Sequence, residues 1–182
     1  KRILDTGNKY GLKSRLHADE FIDSGAAELA AEINAVSADH LMAVSDKGIQ
    51  KMADSGVIGT ILPGTTLFLG QSEYANGRKM IDNGLEVAIA SDFNPGSSTL
   101  NNLSIAMFLA TLYCGLTIKE AFKAVTYNSA KAVNLENRLG LVKENYQADL
   151  LFWNIESINE IPYWLGSDRM INIMKNGEFL EY

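Results

Sequence analysis

Cysteine is almost missing from these 182 residues: Cys114 is the single one, set inside an apolar helical pattern. One thiol cannot build a disulfide framework, and Cys114 reads as a small buried hydrophobe. A reducing, cytoplasmic setting is the expectation that follows. Positive charge is also short, with 16 Lys and Arg against 22 Asp and Glu, a net charge of −6. That balance argues against nucleic acid or an anionic membrane as a partner. Long hydrophobic runs are lacking too. The longest, Leu103 to Leu116, is interrupted by Ser104 and Thr111 and is too short to span a bilayer. The opening residues carry no signal-peptide pattern, and no segment is of low complexity. Histidine is scarce as well, with only His17 and His40.

What is present suits a globular chain able to bury a core: 47% of its residues are hydrophobic. The length fits one large domain or one domain with an appendage. The chain opens at Lys1-Arg2 without a methionine, in what reads as the middle of a helix, as expected of a fragment. Lys1 to Tyr10 reads as that helix, ended by Gly11. Leu12 to Leu16 reads as a strand running into His17-Ala18-Asp19-Glu20, and Ser24 to Asn34 as a second helix. Ala35 to Ala38 is a short strand before Asp39-His40-Leu41, and Ser45 is expected to cap a helix through Ala53. Val57 to Leu62 is a third strand, stopped by Pro63-Gly64. Tyr74 to Asn83 is another helix. Glu86 to Ser91 is a fourth strand, climbing to Asp92 and a loop of Asn, Pro, Gly and Ser.

Strand and helix thus alternate every ~20–30 residues, the length of one βα unit. Such a chain makes a parallel sheet, doubly wound or closed as a barrel. His17, His40 and Asp92 each stand at the end of a different strand. Strand ends converge on one mouth in a barrel and spread along an edge in an open sheet, so the barrel is favoured. Four units make half of one, leaving raw strand edges to be covered. Further on, Asn101 to Gly115 is a strongly apolar helix and Thr117-Ile118-Lys119-Glu120 matches a capping box. Asn128 is expected to cap a short helix through Val133. After about residue 135 the pattern changes: Gly140-Leu141-Val142 and Leu150-Leu151-Phe152-Trp153 read as strands, and Asn176-Gly177 is the strongest short hairpin signal.

Imidazole and carboxylate are the ligand types of zinc or a non-haem iron. His17 and Asp92 supply only part of a catalytic site, which needs three protein ligands and an open position. Either there is no metal, or the other ligands lie outside this chain. Glu20, three residues after His17, is a helix-start carboxylate or a group that moves a proton beside substrate. Asp19, Asp39 and Asp46 read as loop or cap acids, and Pro63-Gly64-Thr65-Thr66 as a turn. Asn94 to Ser98 offers an amide, free backbone N–H groups and hydroxyls, which suits a small anion such as a carboxylate.

The combination is more specific than its parts. His17-Ala18-Asp19-Glu20, then Ser37-Ala38-Asp39-His40-Leu41, Leu62-Pro63-Gly64-Thr65-Thr66 and Ser91-Asp92-Phe93-Asn94-Pro95-Gly96-Ser97 resemble the second half of the imidazolonepropionases. These are a family of the amidohydrolase superfamily, and the likeness runs in order over nearly the whole chain. Tyr146-Gln147-Ala148-Asp149-Leu150-Leu151-Phe152-Trp153, with the Asn176-Gly177 hairpin, looks like the superfamily's tail. The His-x-x-Glu pair is shared with deaminase relatives. The loop after Asp92, together with Leu-Pro-Gly-Thr-Thr, is what selects the family.

The resemblance implies an α/β fold: residues 1–135 as the C-terminal half of a (β/α)8 TIM barrel of the metal-dependent hydrolase type. Residues 136–182 would be strands of a small β-sandwich built from both ends of the full chain. It implies hydrolysis of 4-imidazolone-5-propanoate to N-formimino-L-glutamate in histidine degradation, with one zinc or iron ion, in the cytoplasm. The partners it implies are that small substrate, the first half of the same protein and a second copy in a homodimer. Carried over by motif, His17 and Asp92 resemble metal ligands, and Glu20 a catalytic contact to the substrate ring. His40 resembles a second-sphere histidine that orients or shuttles a proton, and Asn94, Gly96 and Ser97 resemble substrate contacts. In that chemistry a bound metal lowers the pKa of its water toward ~7, and Asp92 takes the proton and passes it to the ring nitrogen. The family's His-x-His pair and the arginine, tyrosine and histidine of its first half are absent here. These residues alone are therefore expected to bind metal weakly and not to turn over. Two rivals remain: a metal-dependent aminohydrolase of purine or pyrimidine rings, and a non-catalytic half-barrel that only assembles with a partner.

Overall fold

The computed structural model describes residues 2–167 and 169–181. Lys1, expected in the first helix, and Tyr182, expected at the end of the sandwich segment, lie outside the described residues. Helix α1 (Arg2–Lys9) buries none of its side chains. Its closing turn uses Leu12, whose N–H donates to Gly7 O at 3.1 Å. That bond removes Leu12 from the expected strand, so β1 runs over Arg15–Ala18 and His17 lies inside it.

The chain then alternates through α2 (Ala26–Glu32), β2 (Ser37–His40), α3 (Asp46–Ser55) and β3 (Ile58–Ile61). Ser45 caps α3 as expected, its hydroxyl accepting from Gly48 N at 3.2 Å. After β3 the sequence Pro63-Gly64 does not merely stop the strand. Proline, with φ preset and no N–H to lose, suits the first helical position, and α4 spans Pro63–Phe68 with its first four residues buried. Helix α5 (Gly77–Asp82) follows, capped by Asn76, and then β4 (Val87–Ile89). The four strands are parallel in the order β1-β2-β3-β4. A doubly wound sheet reverses its strand order at a switch point, whereas a barrel lays each strand beside the last. The observed order is that of half a barrel. All four residues of β3 are buried, as expected of a strand covered on both faces. The core beneath includes Ala27 and Ala30 of α2, Ile49 and Met52 of α3, and Val57, Ile61 and Ile89.

Helices α6 (Leu103–Tyr113), α7 (Ile118–Val125) and α8 (Tyr127–Ala132) complete this layer. Thr117 and Glu120 form the expected capping box, with Thr117 N donating to Glu120 Oε2 at 2.8 Å. Asn128 is not a cap. It sits within α8, 5% exposed, and donates through Nδ2 to Val87 O at 2.7 Å. Glu86 and Ala90 bond to β3, so the carbonyls of Val87 and Ile89 point to the other side of β4. Asn128 takes the first and the Ser129 hydroxyl, at 3.1 Å, takes the second. Two carbonyls on this edge of the sheet are thereby satisfied by side chains.

The tail is β5 (Leu150–Trp153), a short α9 (Glu160–Tyr163), β6 (Met170–Lys175) and β7 (Glu178–Phe179), the strands forming an antiparallel sheet in the order β5-β6-β7. Asn176 and Gly177 make the expected two-residue hairpin loop with φ 53° and 85°, the left-handed pair a type I′ turn requires. Gly140-Leu141-Val142 is not a strand. Gly140 has φ 88° and packs so closely on α8 that a Cβ there would lie 2.8 Å from Tyr127 Cα. Among the described residues no helix is long and apolar enough to cross a membrane.

Candidate active site

Strand register brings the two histidines together. Ala18 pairs with His40 and His17 with Asp39, so the last residue of β2 lies beside the end of β1. The imidazole rings are 4.4 Å apart and tilted by 51°. Glu20, two residues past β1, spans both: its Oε2 is 3.3 Å from His17 Nε2 and its Oε1 is 3.5 Å from His40 Nδ1. The side chains of Glu20 and His40 are each 9% exposed, whereas that of His17 is 65% exposed.

Local structure explains how Glu20 is aimed. Asp19 has φ 48° and is buried, and its carboxylate accepts four hydrogen bonds: from Ser24 N, Ser24 Oγ, Ala26 N and Ala27 N. Burial pulls its pKa upward, but these bonds, led by Ala27 N and Ser24 N, prevail and hold it below the ordinary carboxylate value. Expected as a loop or cap acid, Asp19 is both: it accepts from the first two N–H groups of α2 and knots the loop that carries Glu20. His40 and Leu41 both adopt left-handed backbone, with φ 84° and 63°. Such residues cost about 1–3 kcal/mol each and persist where the surroundings over-determine them. Leu41 N donates to Ala18 O and Ala43 N to Asp19 O, which ties this exit from β2 to the exit from β1.

The charge state of His40 follows from its surroundings. Burial pushes its pKa down; Glu20 opposes, His17 adds to the depression, and Asp92 and Asp39 oppose more weakly. The neutral imidazole, the form that ligates metal or accepts a proton, is favoured. Its buried Nδ1 has no hydrogen-bond partner although Glu20 Oε1 is near. An orphaned imidazole nitrogen, a second imidazole and a carboxylate, with ligand atoms all within 4.8 Å of one another, fit a zinc or iron ion.

Asp92, three residues past β4, is not a member of that cluster of three, though its charge reaches His40. Its Oδ2 accepts from Thr65 Oγ1 at 2.8 Å, and its main-chain oxygen accepts from Asn94 Nδ2 at 2.6 Å. The loop beyond differs from expectation. The Gly96 and Ser97 N–H groups are not free: both donate to Asn94 Oδ1 at 2.8 Å, and Asn94 Nδ2 also donates to the Ser97 hydroxyl. An asparagine that folds onto the backbone two and three residues ahead closes its own turn. Asn94 and Ser97 are half-buried and Gly96 is exposed at the rim of the mouth. Thr65 stands in the Leu-Pro-Gly-Thr-Thr motif and reads in the sequence as part of a turn, with no role of its own; it lies instead in the first turn of α4. The signal available was Pro63 after a strand, which sets a helix start at the mouth.

With the four strand ends and their side chains in place, the class is settled. The chain belongs to the amidohydrolase family, whose model matches residues 28–180. It is 43% identical over 98% of its length to an imidazolonepropionase of Bacillus velezensis, and 44% identical over 97% to one of Kosmotoga olearia. It spans less than half of these relatives, 42% and 43% of their lengths. Among solved structures, a zinc-bound adenosine deaminase from Xanthomonas campestris shares the fold, with a TM-score of 0.81 at 17% identity over 98% of this chain and 47% of that one. Atrazine chlorohydrolase from Arthrobacter aurescens, complexed with zinc, gives 0.81 at 20% identity over 97% of this chain and 46% of its own.

Proposed function

We propose that the whole protein hydrolyses the ring C–N bond of 4-imidazolone-5-propanoate, giving N-formimino-L-glutamate in histidine degradation. The observation that carries this reading is the 43% identity over 98% of the chain to proteins named imidazolonepropionase. The gathering of His17, Glu20 and His40 at one mouth supports it. His17 and Asp92 are assigned to hold one zinc or iron ion, with other ligands from the part of the protein beyond this chain. Of the cluster at the mouth only His17 is then a ligand, and Glu20 and His40 beside it are assigned to substrate and water. The ion would supply acidity, lowering the pKa of the attacking water toward ~7.

The chain's own residues do the rest. Oδ1 of Asp92, the oxygen Thr65 does not occupy, takes the proton from water and returns it to the ring nitrogen as the C–N bond breaks. Neutral His40 orients the water or relays a proton, and Glu20 binds the ring between the two imidazoles. Asn94, Gly96 and Ser97 contact the substrate. Because Asn94 already occupies the Gly96 and Ser97 N–H groups, the Ser97 hydroxyl and the outer face of the loop are what the substrate meets. In the same reading residues 1–135 are the barrel half and residues 136–182 the strands of a composite sandwich. The complete enzyme is a cytoplasmic homodimer.

The test is an assay of the purified full-length protein on 4-imidazolone-5-propanoate, with formiminoglutamate followed by mass. Turnover is expected, and Asp92→Ala should lower kcat by ~10²–10⁴-fold, the usual weight of a general base. Deamination of cytosine or guanine without imidazolone hydrolysis would overturn the reading.

A further inference from the structure

We infer that Thr65 is a positioning residue that assigns the two oxygens of Asp92 to different tasks. The inference rests on the role proposed for Asp92. Thr65 is 1% exposed, and its hydroxyl donates to Asp92 Oδ2 at 2.8 Å across 27 positions of sequence. A hydroxyl donating to an ionised carboxylate makes a short, charge-assisted bond, stronger than one between neutral groups. It occupies Oδ2 and so distinguishes that oxygen from Oδ1, which it leaves for the proton.

The donor is itself held fast. Thr65 lies in the first turn of α4, where its N–H donates to Leu62 O at 3.1 Å and its carbonyl accepts from Leu69 N at 2.9 Å. Next to it, Gly64 meets Leu100 so closely that a Cβ would lie 2.6 Å from Leu100 Cδ2. The start of α4 is thereby locked against the segment that follows the Asp92 loop. From the other side, Asn94 Nδ2 holds the main-chain oxygen of Asp92, whose φ is 52°. Backbone and carboxylate of Asp92 are clamped by two separate donors, and only the Thr65 bond selects between Oδ1 and Oδ2.

The experiment uses the full-length enzyme with Thr65→Val, which keeps the branched shape without the hydroxyl, and Thr65→Ser, which keeps the hydroxyl. The readouts are kcat, KM and the zinc affinity of the metal-free protein, measured by competition with a chromogenic chelator. For Thr65→Val we expect kcat and zinc affinity to fall by ~10–100-fold, the usual effect of losing a partner behind a metal-site group, with KM unchanged. Thr65→Ser restores both. Should Thr65→Val fail to fold, Thr65→Ala is compared with Thr65→Ser, since these two differ only in the hydroxyl. A Val variant with wild-type kcat and zinc affinity, or a Ser variant as poor as Val, overturns the inference. If the wild-type protein fails to hydrolyse imidazolone propanoate, the functional reading falls. The zinc affinities of Val and Ser then still decide whether the hydroxyl positions Asp92.

Discussion

Replacing Asp19 by Asn keeps size and shape yet should unfold the loop behind Glu20. The carboxylate of Asp19 accepts from three donors on Oδ1, namely Ser24 N, Ser24 Oγ and Ala26 N, and from Ala27 N on Oδ2. An amide offers one acceptor oxygen and one NH2 group. If the oxygen stays with Ser24 and Ala26, the NH2 faces the buried Ala27 N–H, donor against donor. If it flips, the Ser24 hydroxyl can turn to accept, but two backbone N–H groups, Ser24 and Ala26, are stranded instead of one. The first arrangement is the less costly. It loses one charge-assisted bond, worth about 1.5–3 kcal/mol, and leaves one buried N–H unpaired. These overlap rather than add, and a loss of about 3 kcal/mol is expected. Urea denaturation of the full-length protein followed by far-ultraviolet circular dichroism measures it. A change within about 0.5 kcal/mol of wild type, the range of an indifferent surface substitution, would refute the claim that Asp19 knots this loop.

Two further outcomes follow from other contacts. Asn128→Ala strands the Val87 carbonyl on the outer side of β4, and the buried unpaired acceptor should cost about 1–3 kcal/mol in the same assay; an unchanged midpoint would mean that water replaces the amide. Asp149 is held down to about 2, first by Asn176 N and then by Lys175 and Gln147. A depressed carboxylate stabilises its clamp above its unfolded value of 3.8 and releases it as pH falls through about 2. The Asn176 amide resonance should therefore titrate near the lower value; a midpoint at 3.8 would show that the clamp does not hold the hairpin turn.

Local signals were legible and long-range ones were not. The Thr117 capping box, the Ser45 cap and the Asn176-Gly177 hairpin are all closed by partners within a few residues, and each appears where expected. The approach of His17 and His40 was legible from strand ends, because a parallel register aligns them, whereas Asp92, expected to converge with them, lies outside their cluster. Asn128 was misread as a cap because its partner, Val87 O, lies 41 residues away. The bond of Thr65, though the residue stands in the Leu-Pro-Gly-Thr-Thr motif, was hidden for the same reason, its carboxylate partner being 27 residues on. Asn94 is a different case: its bonds are local, and an asparagine two residues before a glycine carried the hint that the turn would close on itself.

The two consecutive left-handed residues at the end of β2 restrict what substitution can do there. Strain of this kind is usually relieved by glycine, but Leu41 is 0% exposed, and its side chain fills the space above Gly59, where a Cβ would meet Leu41 Cδ1 at 3.0 Å. Glycine at 41 would relax the backbone and empty the core in one step. Glycine at 40 would relax it and delete the imidazole. Neither relief is open, so these positions are locked against drift. A heat-resistant variant of the protein would have to gain its stability elsewhere and carry this bend unchanged.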